Sequence, residues 1–203
     1  INFALYALDE DAAKASSNSR EQWRELVAHD PQVMLEGFCL NASAYVLSLR
    51  EGGLPVIQVH PAGLPSYRVQ LPDAAYSLSV QDTLEFASPR IRLRYEALNR
   101  PAQVRQLELA SGAQQVLKET AVLGPFDADA YVSQRLWATA ADGTQVPISL
   151  VARRDVLASS EQAATPAPLY LYGYGAYGAC LDPWFSHARL SLLERGFVFA
   201  IAH

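Results

Sequence analysis

Two cysteines, one methionine and no apolar run long enough to cross a bilayer are the first constraints set by this sequence of 203 residues. Cys39 and Cys180 lie far apart along the chain, which makes neither a disulfide framework nor a cluster of metal ligands. No metal and no cofactor is expected, and the sparse cysteines fit a reducing, cytoplasmic setting. A spanning helix needs about 20 consecutive apolar residues, and residues 1–10 carry neither the basic nor the apolar region of a secretory signal, so no membrane partner is expected. Basic residues are outnumbered, 16 against 21 acidic, for a net charge of −5. No Lys/Arg cluster is dense enough to track a phosphate backbone, which argues against nucleic acid as a partner.

What the chain does have is core-forming material: 50% hydrophobic against 18% charged residues excludes a disordered tail or a coiled coil. Its first 120 or so residues predict short strands separated by turn residues. Tyr45–Leu49 alternates up to Glu51-Gly52-Gly53, Val56–His60 runs to Pro61, and Tyr67–Leu71 runs to Pro72-Asp73. A second series follows in Ile91–Tyr95, Val104–Leu109 and Gln115–Leu117, its members 46 to 48 residues behind those of the first. That interval matches four-stranded propeller blades, while the alternation alone fits a β-sandwich equally well.

Composition shifts near Gly124-Pro125. Beyond it, Gln134–Ala140 and Gln145–Ala152 flank Asp142-Gly143, a hairpin signal because glycine supplies the positive φ of the turn. Ser159–Pro168 is a connector of small residues, and Leu169–Tyr172 predicts a buried strand. Asp182-Pro183 predicts a cap and first helical residue, with the helix running to about Arg195 and stopped by Gly196. Phe197–Ala202 predicts a strand covered on both faces. The chain opens at Ile1, its one methionine is Met34, and His203 lies one residue past an apolar run, so a piece of a longer protein is expected.

The sharpest local feature is Leu171-Tyr172-Gly173-Tyr174-Gly175-Ala176-Tyr177-Gly178, between predicted strand and helix. Loops at the carboxyl ends of strands in open α/β sheets commonly hold ligands, and glycines let the backbone approach them closely. Gly173-x-Gly175-x-x-Gly178 has dinucleotide-binding spacing, but no acidic residue follows about 20 positions later to take a ribose. A tight loop carrying core aromatics is the plain alternative.

Residues 168–202, PLYLYGYGAYGACLDPWFSHARLSLLERGFVFAIA, resemble the opening of the catalytic core in the prolyl oligopeptidase family, within it the oligopeptidase B branch. Val33–Phe38 and Asp142–Val151 are similar as well, so the resemblance covers most of the chain. It implies a mainly β plus α/β chain: residues 1–124 as the last blades of a seven-bladed β-propeller, 125–203 as the beginning of an α/β-hydrolase domain. It also implies a cytoplasmic serine peptidase that cuts short peptides after Arg or Lys, its partner being the remainder of its own catalytic domain. Tyr174 matches the family tyrosine that helps form the oxyanion hole, and Tyr177 the aromatic wall of the pocket for the side chain before the cleaved bond. Tyr172 is expected to pack.

No Gly-x-Ser-x-Gly elbow occurs, and Ser149, Ser159, Ser160, Ser186 and Ser191 fall in a strand, a connector or a helix. The nucleophile, acid and base are therefore expected outside these residues. Ser186-His187 is adjacent on a predicted helix, where neighbours point about 100° apart, and is expected at the surface. His29 and His60 fall in turn-like positions and His203 at a strand end, with no carboxylate partner set by sequence. Arg153-Arg154-Asp155 is expected as a solvated strand end able to form an interdomain ion pair, and Asp127 and Asp129 as linker residues. The rival to a peptidase is a non-catalytic propeller module with a degenerate hydrolase remnant.

Overall fold

The computed structural model describes residues 2–9, 11, 13, 20–81, 84–160 and 166–203. A two-stranded ribbon of β1 (Leu5–Ala7) and β2 (Arg24–Val27) precedes three four-stranded sheets. The first holds β3 (Val33–Asn41), β4 (Ala44–Glu51), β5 (Leu54–Pro61) and β6 (Tyr67–Arg68). The second holds β7 (Tyr76–Gln81), β8 (Arg90–Ala97), β9 (Arg100–Glu108) and β10 (Gln114–Glu119). Both are antiparallel meanders, and β8 and β9 each begin 46 residues after β4 and β5. Residues 33–68 and 76–119 thus repeat one unit, as the spacing predicts.

Alternation explains how the two sheets meet. In β5 and β8 every second side chain is buried. Val46, Ile57 and Val59 from one sheet pack with Ile91, Leu93, Tyr95 and Leu107 from the other in a single core. Each such side chain fully withdrawn from water contributes about 1.5–3 kcal/mol. Tyr95 brings a hydroxyl into that core and donates it to Asp73, which Arg100 Nε also reaches at 3.0 Å, while Arg105 lies 4.3 Å above the Tyr95 ring. Burial and the Asp73 carboxylate both raise the Tyr95 pKa, so the phenol stays a donor.

The third sheet is mixed, in the order β11 (Tyr131–Thr139), β12 (Gln145–Arg153), β14 (Val198–Ala202), β13 (Leu169–Gly173). The β11–β12 hairpin turns at Asp142-Gly143, where the pattern predicts it. β14 is central, antiparallel to β12 and parallel to β13. Helix α1 (Arg154–Ser160) follows β12, and α2 (His187–Leu193) precedes β14. Leu193, Phe199, Ile201, Val151 and Tyr131 form a second core that also takes in Ala75, just before β7, and Leu98, in the β8–β9 turn.

Several expectations are corrected. The helix does not start at Asp182-Pro183: Asp182 spends its carboxylate on Arg50, and Ser186 accepts from Arg189 N as the true cap of α2. Its end is as read, with the N–H groups of Gly196 and Phe197 bonded back to the carbonyls of Leu193 and Leu192. Arg153-Arg154-Asp155 is not a strand end throughout, since α1 begins at Arg154 and Arg153 pairs with Asp155 and Glu194. Leu169–Tyr172 is a strand but not a buried one; β13 is an edge strand exposed along its length, Tyr172 included. Two strands lie outside the expected series: β3, where a register shift between Leu35 and Gly37 breaks the period, and β7, although its Tyr76, Leu78 and Val80 do alternate with polar residues. β6 is only two residues long, and Asp127 caps a short 3₁₀ turn by accepting from Asp129 N. Residues 161–165 of the small-residue connector lie outside the described residues.

Gly53 lies in the two-residue turn between β4 and β5, at φ +83°, where an added Cβ would stand 3.3 Å from Arg135 Nη2 and 3.4 Å from Pro147 Cγ. Gly63 has a similar φ of +71° with nothing within 4 Å. Gly53→Ala is expected to lower stability by about 2 kcal/mol or more and Gly63→Ala by about 1, the difference being contact rather than backbone strain. Thermal unfolding of the two variants checks it; equal losses would place Gly53 in open space.

Candidate active site

The parallel pairing of β13 with β14 sets Gly173 opposite Ala202, so the segments leaving both strands emerge at one end of the sheet. From β13 comes the tyrosine loop. Ala176–Gly178 makes one 3₁₀ turn closed by Ala179 N to Ala176 O at 3.1 Å. Inside it Tyr177 has φ 58° and ψ 26°, and among the described residues it alone carries a positive φ without being glycine. That left-handed backbone costs about 1 kcal/mol and turns the ring out to complete exposure, 100%. Tyr174 is 45% exposed, and among the described residues neither hydroxyl has a hydrogen-bond partner. Both sequence-predicted site residues therefore share one loop, at the carboxyl end of a strand, with their polar ends free.

The loop's return is tied to the first sheet. Arg50 of β4 places Nη1 2.7 Å from Asp182 Oδ1, 3.2 Å from the Gly53 carbonyl and 3.6 Å from Cys180 Sγ, and Nε 2.6 Å from Glu36 Oε1. Burial works against the charge on Arg50, and the two carboxylates outweigh it and hold the guanidinium above its ordinary range. Beside it the Gly52 carbonyl accepts from Arg135, whose guanidinium lies 5.4 Å from the Trp137 ring. Past Asp182 the chain is pinned by Phe185, buried edge-on against Phe126 at 5.4 Å, with its N–H on Glu96 Oε2 at 3.1 Å. Arg189 is buried over Phe199 at 4.0 Å and donates to the Trp184 carbonyl at 2.7 Å; burial lowers its pKa to about 10.

From β14 comes His203. Its Nε2 lies 2.7 Å from Ser149 Oγ, and its N–H donates to the Pro147 carbonyl at 3.0 Å. This pair is not a nucleophile and base, because Ser149 is completely buried in the middle of β12 and cannot meet a substrate. The other expected histidines are spread out: His29 is exposed, His187 lies edge-on to Phe185, and His60 is not in a turn but in β5, stacked on Tyr45 at 4.3 Å. Ser186 is a cap rather than a surface group. Among the described residues no three His, Cys, Asp or Glu side chains gather to hold a metal, and no helix is long and apolar enough to cross a membrane.

Comparison with known proteins gives the family. Residues 2–120 match the model of the prolyl oligopeptidase N-terminal beta-propeller domain. The chain belongs to the prolyl oligopeptidase family. It is 37% identical over 192 residues to dipeptidyl aminopeptidase BI of Pseudoxanthomonas mexicana, covering 94% of this chain and 26% of that protein. It is 35% identical over 154 residues to protease 2 of Moraxella lacunata, covering 75% of this chain and 21% of that one. Among solved structures, oligopeptidase B from Trypanosoma brucei with covalently bound antipain superimposes with a TM-score of 0.77 at 32% identity, over 88% of this chain and 26% of that one. The chain thus spans about a quarter of the length of these relatives. The two repeated meanders fall within the propeller match.

Arg50, Asp182 and the Ser149–His203 pair escape the sequence reading, because their partners lie 132 and 54 residues apart and no local pattern joins them. For His203, burial and then the Arg135 charge lower the pKa below its usual 6.5, against weaker pulls from Leu181 and Asp182. The folded site refuses a proton that the unfolded chain accepts, so this contribution to stability is complete above pH 6.5 and shrinks as pH falls below it. The melting temperature is expected to drop between pH 7 and 5, and His203→Gln to flatten that slope. Parallel slopes in both proteins would contradict the assignment.

Proposed function

We propose that the complete protein is a cytoplasmic serine peptidase that cleaves short peptides after Arg or Lys, and that this chain supplies part of its oxyanion hole and pocket wall. In this reading residues 1–124 are the last blades of a seven-bladed propeller and 125–203 open an α/β-hydrolase domain. The rest of that domain is their partner and brings the serine, acid and histidine. The observation that carries the reading is the tyrosine loop, raised at the carboxyl end of a strand parallel to its neighbour, in a family of serine peptidases.

The chemistry asked of the loop is limited and specific. When serine attacks the scissile carbonyl, its oxygen gains charge, and a fixed donor aimed at that oxygen stabilises the transition state more than the ground state. Tyr174 carries such a donor, with no competing partner among the described residues. Tyr177, turned outward by its left-handed backbone, offers a flat apolar face for the side chain preceding the bond. Preference for a basic residue rests on the likeness to oligopeptidase B and protease 2. A second reading, removal of dipeptides from free N-termini, is favoured by the 37% identity to dipeptidyl aminopeptidase BI. An arginyl coumarin substrate with one further residue before the arginine, offered with a blocked and with a free N-terminus, separates the two.

In the complete protein Tyr174→Phe is expected to lower kcat about a hundredfold or more, some 2–4 kcal/mol of transition-state stabilisation, with KM and thermal unfolding little changed. Tyr177→Ala is expected to alter preference among side chains before the cleaved bond. Full kcat in Tyr174→Phe would reduce Tyr174 to a surface aromatic.

A further inference from the structure

The loop that carries Tyr174 and Tyr177 has little to hold its shape. Gly173, Gly175 and Gly178 leave its backbone loose, and between Tyr174 and Cys180 the backbone bond from Ala179 to Ala176 is the internal tie among the described residues. Its start is fixed by the β13–β14 register. Its end is fixed by a group from a different sheet: the Arg50 guanidinium, on Asp182 at 2.7 Å and beside Cys180. Glu36 of β3 holds the same guanidinium from the other side at 2.6 Å, so the fork cannot swing. Among the described residues Arg50 is the base paired with Asp182, and the two side chains are only 17% and 25% exposed. Such a pair is shielded from salt and geometrically defined, unlike a surface ion pair.

We propose that Arg50 is a positioning residue: it clamps the return of the tyrosine loop from the propeller side and thereby sets where the Tyr174 hydroxyl stands. The inference rests on the peptidase reading above and deepens it. A displacement of about 1 Å of a group that meets the reacting atoms can lower a rate by up to a hundredfold. Attachment of the two bodies does not depend on this contact, since Ala75 and Leu98 pack with Tyr131, Leu193 and Phe199, and Arg135 holds the Gly52 carbonyl. Arginine is required for the geometry, because its planar fork serves Glu36, Asp182 and the Gly53 carbonyl together, whereas a lysine ammonium is a point charge on a flexible stem.

The test uses the complete protein with Arg50→Gln, Asp182→Asn, their double variant, Arg50→Lys and Tyr174→Phe. It reads hydrolysis of the arginyl coumarin substrate and amide hydrogen exchange. Each single neutralisation is expected to lower kcat about tenfold with a smaller change in KM, and the double variant to be no worse than the poorer single. Arg50→Lys should recover part of the loss. Exchange should quicken in residues 174–182 and stay unchanged in β12 and β14. Unchanged loop exchange, additive losses in the double variant, or quickening spread evenly through β12 and β14 would overturn the proposal. If Tyr174→Phe loses kcat and Arg50→Gln does not, the positioning role fails alone. If Tyr174→Phe keeps kcat while Arg50→Gln still loosens residues 174–182, the clamp stands and the oxyanion assignment fails.

Discussion

Hydrogen bonding on both edges of β14 is the constraint from which the rest of the α/β part follows. Its antiparallel partner β12 and parallel partner β13 occupy both of its edges, and its side chains Phe199, Ala200 and Ile201 are buried on both faces. A one-residue slip would exchange the faces of every side chain. With β14 fixed, α2 has one place to pack, through Leu193 and Arg189, and Gly173 has one neighbour, Ala202. The tyrosine loop therefore starts from a defined point. A parallel pair also needs a crossover, and the chain uses it to travel through the loop, Asp182, Phe185 and α2 before returning.

That crossover brings the electrostatics of the junction into one place. The turn at Gly52-Gly53 presents two carbonyls, one to Arg135 and one to Arg50, while Asp182 and Glu36 supply the carboxylates. The charges are unevenly matched: Arg50 has two acidic partners, whereas burial lowers the pKa of Arg135 and leaves its Nη1 unpartnered. Burial, and after it the nearby Arg135 charge, lower the pKa of His203. The second meander and the mixed sheet share one apolar core, and a few oriented hydrogen bonds join the α/β part to the first sheet around its Gly52-Gly53 turn.

Much of this was readable from residue pattern because it is local. Asp142-Gly143 between alternating runs gives β11 and β12, Gly196 ends α2, and an apolar run from Phe197 gives the central strand. The 46-residue spacing of β4 and β8 gives the repeated meanders. The departures are places where a distant partner decides. Asp182-Pro183 has the form of a helix start, but Arg50, far back in sequence, claims the carboxylate and the helix waits for Ser186. Leu169–Tyr172 has the composition of a buried strand, yet composition does not say which strand of the sheet stands at the edge. For Tyr174 and Tyr177 it is resemblance, not pattern, that suggests a role; the left-handed backbone of Tyr177 has no local sequence signal, since tyrosine rarely adopts it.

In the proposed peptidase the loop after β13 delivers the Tyr174 hydroxyl to a developing oxyanion. The most direct measurement is a crystal structure of the complete protein with an arginyl aldehyde such as antipain bound to the serine, where the hemiacetal oxygen marks the oxyanion position. The Tyr174 hydroxyl is expected about 2.7–3.1 Å from that oxygen, with the Arg50–Asp182 contact intact. A Tyr174 side chain directed away from the hemiacetal, with another group donating in its place, would contradict it.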